Sequence, residues 1–351
     1  MEVTRLRAYI GTYSSEQREG LFIVEWDERR GPQLRRAIAG LSHPSFLALH
    51  PSGRFLYAVN EIDDGAVSAF AVDAHTGELR PLNRQSSAGR GPCHLTVDAT
   101  GQFVLVANYA GGSVAVLPIH ADGALAPACA VVQHHGSSAH PQRQTGPHPH
   151  SVTLDPANRF ALVADLGLDR VMIYRFDAAQ GKLTAHGAAP LKAGAGPRHF
   201  AFHPGARYAY VINELDNTIT AFDYDPAEGA LSEKHTVSAL PAGYAGESFC
   251  ADIHIAPSGR FLYGTNRGHD SVVGFAIAED GRLQDARHTP TGGRWPRNFA
   301  LDPTGRHLWV ANQHSDAITC FLVDPDSGQL TFAGQFSIPQ PACILFTPLW
   351  A

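Results

Sequence analysis

Charged and imidazole-bearing side chains recur at two fixed places around a repeated strand-forming phrase of this chain. One place is the pair of residues that follows a proline at the start of a short strand, or the matching pair in the copy that lacks this proline. The other place is the residue after an Asn or Asp that ends the next strand. Equivalent positions carry different polar groups from copy to copy, whereas a purely structural repeat would use similar residues. The polar set is His94, His150, Arg198, His199, Glu214, Asp252, Arg267, Arg297 and Asn298. Such groups can transfer protons and bind anions, so the pattern predicts a built site.

The repeated phrase is a Pro- or Gly-containing turn followed by an aromatic and β-branched run. Its six copies are HPSGRFLYAVNE, DATGQFVLVANY, DPANRFALVADL, HPGARYAYVINE, APSGRFLYGTNR and DPTGRHLWVANQ, beginning at residues 50, 98, 155, 203, 256 and 302. A shorter strand precedes each copy, and two more strands follow it. Four antiparallel strands in about 50 residues predict one propeller blade. No long segment with helical periodicity appears, which argues against a parallel α/β fold.

The two ends of the chain supply one further blade. Residues 341–348 match the first strand of a blade, residues 9–13 match the second, and residues 20–26 match the third. Pairing these segments closes the ring and removes exposed edge strands. We therefore predict an all-β fold, a seven-bladed β-propeller with four antiparallel strands per blade, formed as a single domain over residues 1–351.

This architecture gathers the polar set at one mouth of the central channel. In an up-and-down blade, the start of the innermost strand and the end of the second strand lie at the same end of the hairpin. Most of the polar set comes from residues 149–166, 197–214, 250–267 and 296–313, so we expect the site on that side of the mouth. The strand-ending Asn and Asp recur in nearly every blade, which indicates a structural role in turn hydrogen bonds.

An insertion over residues 134–150 lengthens one repeat and is predicted to lie over the same mouth. It is rich in Gly, Pro, Ser and His and contains Arg143 and His148. The histidines could bind a metal, but they lack the spacing of zinc ligands. We favour a loop that caps a substrate, with a plain surface loop as the alternative. We assign Arg143 and His148 to substrate binding and predict no metal and no cofactor.

The composition restricts the partners. The formal charge is −6, with 27 Lys and Arg against 33 Asp and Glu and no basic tract, so nucleic acid is not an expected partner. No window reaches the ~18–20 apolar residues of a membrane helix, and residues 1–13 lack the apolar stretch of a secretory signal. Five scattered cysteines without a Cys-x-x-Cys pair are typical of reduced thiols. We therefore expect a cytoplasmic protein without a membrane partner.

Several segments together resemble a known family. They are GSSAHPQRQTGPHPHS at 136–151, ADLGLDR at 164–170, GPRHF at 196–200, NEL at 213–215 and TNRGHDS at 265–271. They resemble the seven-bladed β-propeller lactonases, which include propeller-type 6-phosphogluconolactonases and fungal 3-carboxy-cis,cis-muconate lactonizing enzymes. The similarity extends over residues 9–346. The Arg-Gln insertion ending in His-Pro-His-Ser is its most specific part, although the family usually has another small residue in place of Pro149.

The resemblance implies a catalytic site of one histidine, two arginines and one glutamate, which map by motif onto His150, Arg198, Arg267 and Glu214. It implies hydrolysis of a sugar-acid lactone, most directly the small anionic substrate 6-phosphogluconolactone. In our hypothesis Glu214 or His150 is the general base that activates water, and the two arginines bind the carbonyl oxygen and the phosphate or carboxylate. The residues assigned to substrate binding, besides those of the insertion, are His94, His199, Asp252, Arg297 and Asn298.

Three alternative functions are compatible with these residues. A lactonase for an unphosphorylated sugar acid, or a 3-carboxy-cis,cis-muconate cycloisomerase, would use the same pocket with different targets for the arginines. A scaffold propeller without enzymatic activity belongs to another class, and the four mapped residues would then form an ion-pair network that closes the channel. Scaffolds tend to expose apolar patches on a rim, whereas the unusual residues here are polar and convergent. The sequence therefore favours an enzyme.

Overall fold

Seven four-stranded antiparallel sheets make up the computed structural model, which describes residues 5–27 and 30–347. They confirm the predicted all-β, seven-bladed propeller. The innermost strands contact one another in sequence around the ring, and the last contacts the first. The predicted domain includes residues 1–4, 28–29 and 348–351, and the predicted final strand includes Pro348; these lie outside the described residues. No helix in the described ranges is long and apolar enough to cross a membrane.

Blades 1 to 6 follow one another along the chain, and blade 7 is formed by both ends of the chain, as predicted. Blade 1 contains β4 (Leu47–Leu49), β5 (Phe55–Asn60), β6 (Ala66–Val72) and β7 (Leu79–Ser86). Blade 2 contains β8 (Pro92–Val97), β9 (Phe103–Asn108), β10 (Ser113–Pro118) and β11 (Ala130–Gln133). Blade 3 contains β12 (Pro149–Leu154), β13 (Phe160–Asp165), β14 (Arg170–Asp177) and β15 (Lys182–Pro190). Blade 4 contains β16 (Pro197–Phe202), β17 (Tyr208–Asn213), β18 (Thr218–Asp225) and β19 (Ala230–Ser238).

The remaining blades include the seam of the ring. Blade 5 contains β20 (Phe249–Ile255), β21 (Phe261–Arg267), β22 (Ser271–Ile277) and β23 (Leu283–Pro290). Blade 6 contains β24 (Pro296–Leu301), β25 (His307–Asn312), β26 (Ala317–Val323) and β27 (Leu330–Ser337), with a 3₁₀ turn at Gln313–Ser315. Blade 7 contains, from the channel outward, β28 (Pro341–Thr347), β1 (Arg5–Thr12), β2 (Leu21–Asp27) and β3 (Gly31–Ile38).

Neighbouring blades pack through the apolar runs of their second strands, which are buried along their whole length in blades 1 to 6. The cluster around Tyr210, Ile212 and Leu262, for example, joins blades 4 and 5. The Tyr210 hydroxyl also donates a hydrogen bond of 2.8 Å to the carbonyl oxygen of Gly281 in the next blade. A Cβ at Gly281 would lie 2.6 Å from the ring of Tyr208, so the turn requires glycine. This packing holds the innermost strands rigidly around the channel.

The innermost strands of blades 2, 3, 4 and 6 begin with a β-bulge that the sequence did not reveal. In blade 3, Pro149 pairs with Asp165 and Ser151 pairs with Ala164, so His150 between them has no partner in the register. The same shift leaves Cys93, Arg198 and Arg297 unpaired in the register of blades 2, 4 and 6. A bulge redirects the side chain of the extra residue. Proline cannot donate a hydrogen bond to the ladder, and the first position of a strand is one of the few places in a sheet where it is tolerated. In each of these four blades, the bulge therefore turns one residue toward the mouth.

The strand-ending Asn and Asp residues have the predicted structural role. All six are fully buried. Asn266, for example, donates to the carbonyl oxygen of Ala239 at 2.8 Å and to the hydroxyl of Ser271 at 3.1 Å. Asp165 accepts the backbone N–H groups of His148 and Gly167. These bonds hold the connections between strands, and with them the polar residues that follow.

Candidate active site

Glu214 is the centre of a buried cluster of ion pairs at the mouth. Its Oε2 accepts from Nε of Arg198 at 3.0 Å and lies 2.7 Å from Nη2 of Arg267. Its Oε1 accepts from Nη2 of Arg143 at 2.5 Å. Arg198 also donates to the carbonyl oxygen of Ala251 at 2.5 Å. The carboxylate thus holds three guanidinium groups that come from blade 4, blade 5 and the insertion.

These ion pairs determine the protonation of Glu214. Burial alone would raise its pKa, but the charges of Arg267, Arg198 and Arg143 outweigh burial and lower the pKa to about 2. Burial and the neighbouring guanidinium groups of Arg267 and Arg297 lower the pKa of Arg198 to about 10, so it remains a cation at neutral pH. A carboxylate with so low a pKa takes a proton from water poorly. This geometry disfavours Glu214 as the general base and suits it to orienting the arginines.

His150 is buried at the bulge of β12, beside the same cluster. Its Nδ1 lies 3.8 Å from Sγ of Cys93, whose thiol donates to the carbonyl oxygen of His150 at 3.3 Å. Burial raises the pKa of Cys93, so this thiol stays protonated and is not a nucleophile at neutral pH. Burial, together with Arg198, His199 and Arg297, lowers the pKa of His150 well below 6.5. A neutral imidazole therefore faces the cationic side of the mouth, with no hydrogen-bond partner on Nε2 in residues 5–27 or 30–347.

A second network, centred on Asp252, lies one residue deeper along the innermost strands. Asp252 Oδ1 accepts from Nδ1 of His199 at 2.6 Å, and Oδ2 accepts from Nε2 of His254 at 3.0 Å and from Nδ2 of Asn298 at 2.5 Å. His199 Nε2 in turn lies 3.3 Å from Nη1 of Arg198. Burial and Arg198 lower the pKa of His199 to about 4 despite Asp252. A neutral His199 thus links the Asp252 network to Arg198.

Aromatic rings narrow the channel beneath the mouth. The ring of His94 lies 4.2 Å from that of Phe46 and 5.4 Å from that of His199, measured between centroids. The same three rings line a cavity of about 290 Å³ that continues past Phe202 and Ile255. His94, Asp252 and Asn298 therefore lie below the ion-pair cluster rather than beside it. They are placed to support His199 and the floor of the mouth.

The insertion lies over the mouth, as predicted, and contacts the Glu214 cluster. Arg143 contacts Glu214 and also donates to the hydroxyl of Tyr109 at 3.3 Å. His148 stacks on the ring of Tyr109 at 4.5 Å. His134, by contrast, pairs with Asp165 at 2.6 Å and is a structural residue of the loop. Within the part of the chain that the structure describes, no group of three or more His, Cys, Asp or Glu is arranged to hold a metal ion.

The structure brings the four mapped residues together with Arg143, His148 and His199 around one mouth, and it adds residues that sequence reasoning left out. Tyr109 bridges the insertion to the ion-pair cluster. Glu61 and Tyr13, on the other side of the mouth, are joined by a hydrogen bond of 2.7 Å. All three occupy the position after the strand-ending residue or its equivalent, so the repeat contained a signal for them. They come from blades 2, 1 and 7, whereas most of the predicted polar set comes from blades 3 to 6.

Comparison with known proteins gives concordant matches. A family model described as "Lactonase, 7-bladed beta-propeller" matches residues 7–346. A 6-phosphogluconolactonase of Bacillus subtilis is 37% identical over 98% of this chain and 99% of its own length. A crystal structure described as a putative 6-phosphogluconolactonase of Bacteroides fragilis has a TM-score of 0.91 at 36% identity, covering 98% of both chains. A Pseudomonas aeruginosa periplasmic gluconolactonase has a TM-score of 0.92 at 32% identity, covering 99% of this chain and 100% of its own.

Proposed function

The chain belongs to the seven-bladed β-propeller lactonase family, and on that premise we propose that it hydrolyses 6-phosphogluconolactone to 6-phosphogluconate. The Bacillus subtilis relative carries this enzyme's name at 37% identity over nearly the whole chain. The observation that carries the proposal is the Glu214 cluster, in which one carboxylate orients three guanidinium groups beside a neutral imidazole. The charged substrate does not cross membranes unaided, which supports a cytoplasmic location as part of the proposal.

Hydrolysis of a lactone requires a base for water and donors for the oxyanion that forms at the carbonyl carbon. Nε2 of His150 takes a proton from water while the water oxygen attacks the carbonyl carbon. Nη2 of Arg198 and Nη1 of Arg267 donate no hydrogen bonds within the described ranges, so both are available for the carbonyl oxygen. The bond from the carbonyl carbon to the ring oxygen then breaks. The ring oxygen takes the proton from His150 and becomes a hydroxyl group.

A direct rate measurement tests this function. Purified protein at micromolar concentration should accelerate 6-phosphogluconolactone hydrolysis well above the spontaneous rate. The rate is measured from the acid that is released when the carboxyl group of the product ionises. The absence of acceleration would contradict the proposal. The gluconolactonase name of the Pseudomonas aeruginosa neighbour favours an unphosphorylated sugar lactone as the second candidate. Gluconolactone should therefore be measured in parallel, and a higher kcat/KM for gluconolactone would favour the second candidate.

The pH dependence tests the role of His150. Only the neutral imidazole can accept a proton, and burial and nearby cations hold its pKa well below 6.5. Because a lower pKa keeps the active form populated at lower pH, kcat/KM should stay level as the pH falls from neutral through 6.5. At lower pH, kcat/KM should decline with a midpoint clearly below pH 6.5. Measurement of kcat/KM with the spontaneous rate subtracted checks this expectation, and a midpoint at 6.5 would indicate an unperturbed histidine as base.

A further inference from the structure

Arg297 differs from the other three arginines at the mouth. Arg143, Arg198 and Arg267 are all bound to Glu214. No carboxylate or carbonyl oxygen of residues 5–27 and 30–347 accepts a hydrogen bond from Arg297. Arg198 and Arg267 are 2% and 5% exposed, whereas Arg297 is partly exposed. Among the described residues, Arg297 is therefore a cation at the mouth that no carboxylate binds directly, although the charges of Glu61 and Glu214 act on it from a longer distance and raise its pKa. All its N–H donors are available.

An aromatic ring holds this guanidinium in place. Cζ of Arg297 lies over the ring of Tyr13, 4.9 Å from its centroid. The Tyr13 hydroxyl donates to Oε2 of Glu61 at 2.7 Å, and the Ser45 hydroxyl donates to the same oxygen. A cation over a ring face is attracted to it without using any N–H donor. The ring of Tyr13 thus holds the Arg297 guanidinium in position without using its N–H groups, which stay free for a ligand.

These residues span the seam of the ring. Arg297 belongs to blade 6, Tyr13 follows the β1 strand of blade 7, and Ser45 and Glu61 flank strands of blade 1. Arg297 sits at the bulge of its innermost strand, as His150 and Arg198 do in blades 3 and 4. The same architectural device therefore points Arg297 into the same mouth. Arg297 is also near enough for its charge to lower the pKa of His150 and of Arg267.

We propose that Arg297 binds the phosphate group of the substrate and that Tyr13 and Glu61 position it for this task. The proposal rests on the proposed function. A phosphate dianion is bound best by a guanidinium whose N–H donors are not already taken by a protein carboxylate. The free donors of Arg198 and Arg267 are needed at the lactone carbonyl, and the phosphate lies at the other end of the substrate. The two ends require two separate sets of donors, and the mouth contains two such sets.

The test compares phosphorylated and unphosphorylated lactones in the Arg297→Met variant. KM for 6-phosphogluconolactone should rise about 10- to 100-fold, the usual range for loss of a charge-assisted hydrogen bond, while kcat changes little. KM for gluconolactone should stay within about 2-fold, because it has no phosphate for the guanidinium to bind. Arg287→Met is the matched control, since Arg287 is exposed on the outermost strand of blade 5 and its loss changes the net charge equally. This control should leave both KM values unchanged.

Two further measurements separate phosphate binding from a structural role. Inhibition by 6-phosphogluconate should weaken in Arg297→Met, while inhibition by gluconate should not.

Variants of Tyr13 test whether its ring positions Arg297. Tyr13→Leu removes the ring and should raise KM for the phosphorylated lactone selectively, but by less than Arg297→Met does. Tyr13→Phe keeps the ring and should raise this KM less than Tyr13→Leu does. Arg297→Lys keeps the charge and should recover part of the affinity.

The outcomes distinguish this proposal from the function on which it rests. If the wild-type protein accelerates neither lactone, the proposed function fails regardless of Arg297. If the wild-type protein hydrolyses the phosphorylated lactone but Arg297→Met alters both KM values equally, or neither, the assignment of Arg297 is overturned and the function stands. A selective rise in KM together with selective loss of 6-phosphogluconate inhibition supports the assignment.

Discussion

Replacement of Glu214 by glutamine is expected to lower both kcat/KM and the free energy of unfolding. The amide is neutral, so the buried cations of Arg198 and Arg267 lose the charge that compensates them. Removal of one partner from a buried ion pair costs about 3–5 kcal/mol of stability. The two arginines also lose the alignment needed at the lactone carbonyl, and kcat/KM should fall about 100-fold or more, as for the loss of an oxyanion donor. Chemical denaturation and steady-state kinetics on the same preparation measure both effects.

Glu61→Gln is the matched control for Glu214→Gln. Glu61 occupies the equivalent position in blade 1, but its carboxylate accepts hydrogen bonds from the hydroxyl groups of Tyr13 and Ser45 rather than from guanidinium groups. A glutamine oxygen can accept both bonds, so the loss of stability should be clearly smaller than for Glu214→Gln. A Glu214→Gln variant that is inactive but as stable as the wild type would contradict the ion-pair role and would restore Glu214 as a candidate base.

The fold was predictable because the repeat is strong and the two chain ends complete a blade. Proline at the start of an innermost strand, as at Pro149 and Pro197, located the mouth correctly. The bulge that follows these two prolines was not predictable, because it depends on the register with the second strand and leaves no residue of its own in the sequence. The bulge is nevertheless the reason that His150 and Arg198 turn toward the mouth.

The partners inside the site were harder to predict than its location. Arg143 reaches Glu214 across 71 positions of the chain, and its place depends on how the insertion folds, which the repeat does not constrain. Because Arg143, Arg198 and Arg267 all converge on Glu214, a residue that sequence reasoning kept as a possible base has a pKa of about 2. The pairing of His199 with Asp252, in contrast, joins equivalent layers of neighbouring blades. Aligning the copies residue by residue could have found it, and likewise the bond between Tyr13 and Glu61.

The cationic mouth has a consequence for catalysis beyond binding. A base surrounded by guanidinium groups loses basicity, and the low pKa of His150 has this origin together with burial. The same charges stabilise the oxyanion that forms as water attacks, and they favour an anionic substrate. The weak base is therefore offset by strong stabilisation of the developing negative charge.

His150→Gln is expected to reduce kcat about 10²- to 10⁴-fold, the range for loss of a general base, with little change in KM. Arg198 and Arg267, which would bind the lactone carbonyl oxygen, form no hydrogen bond with His150 in the described ranges, so lactone binding should persist. His135→Gln is the control, because His135 is an exposed histidine of the same insertion and its loss should leave kcat unchanged.

The kinetic pattern of His150→Gln separates the base from a residue that only shapes the mouth. If His150 merely filled space, glutamine would raise KM and lower kcat modestly, and the pH dependence of the residual activity would keep its original acidic decline. If His150 is the base, kcat falls and that acidic decline disappears, because no neutral imidazole remains to be protonated. Residual hydrolysis should then rise with hydroxide concentration, because hydroxide replaces activated water while the arginines still bind the oxyanion. If His150→Gln kept the wild-type kcat, His150 would be ruled out as the base, and another group at the mouth would have to activate the water.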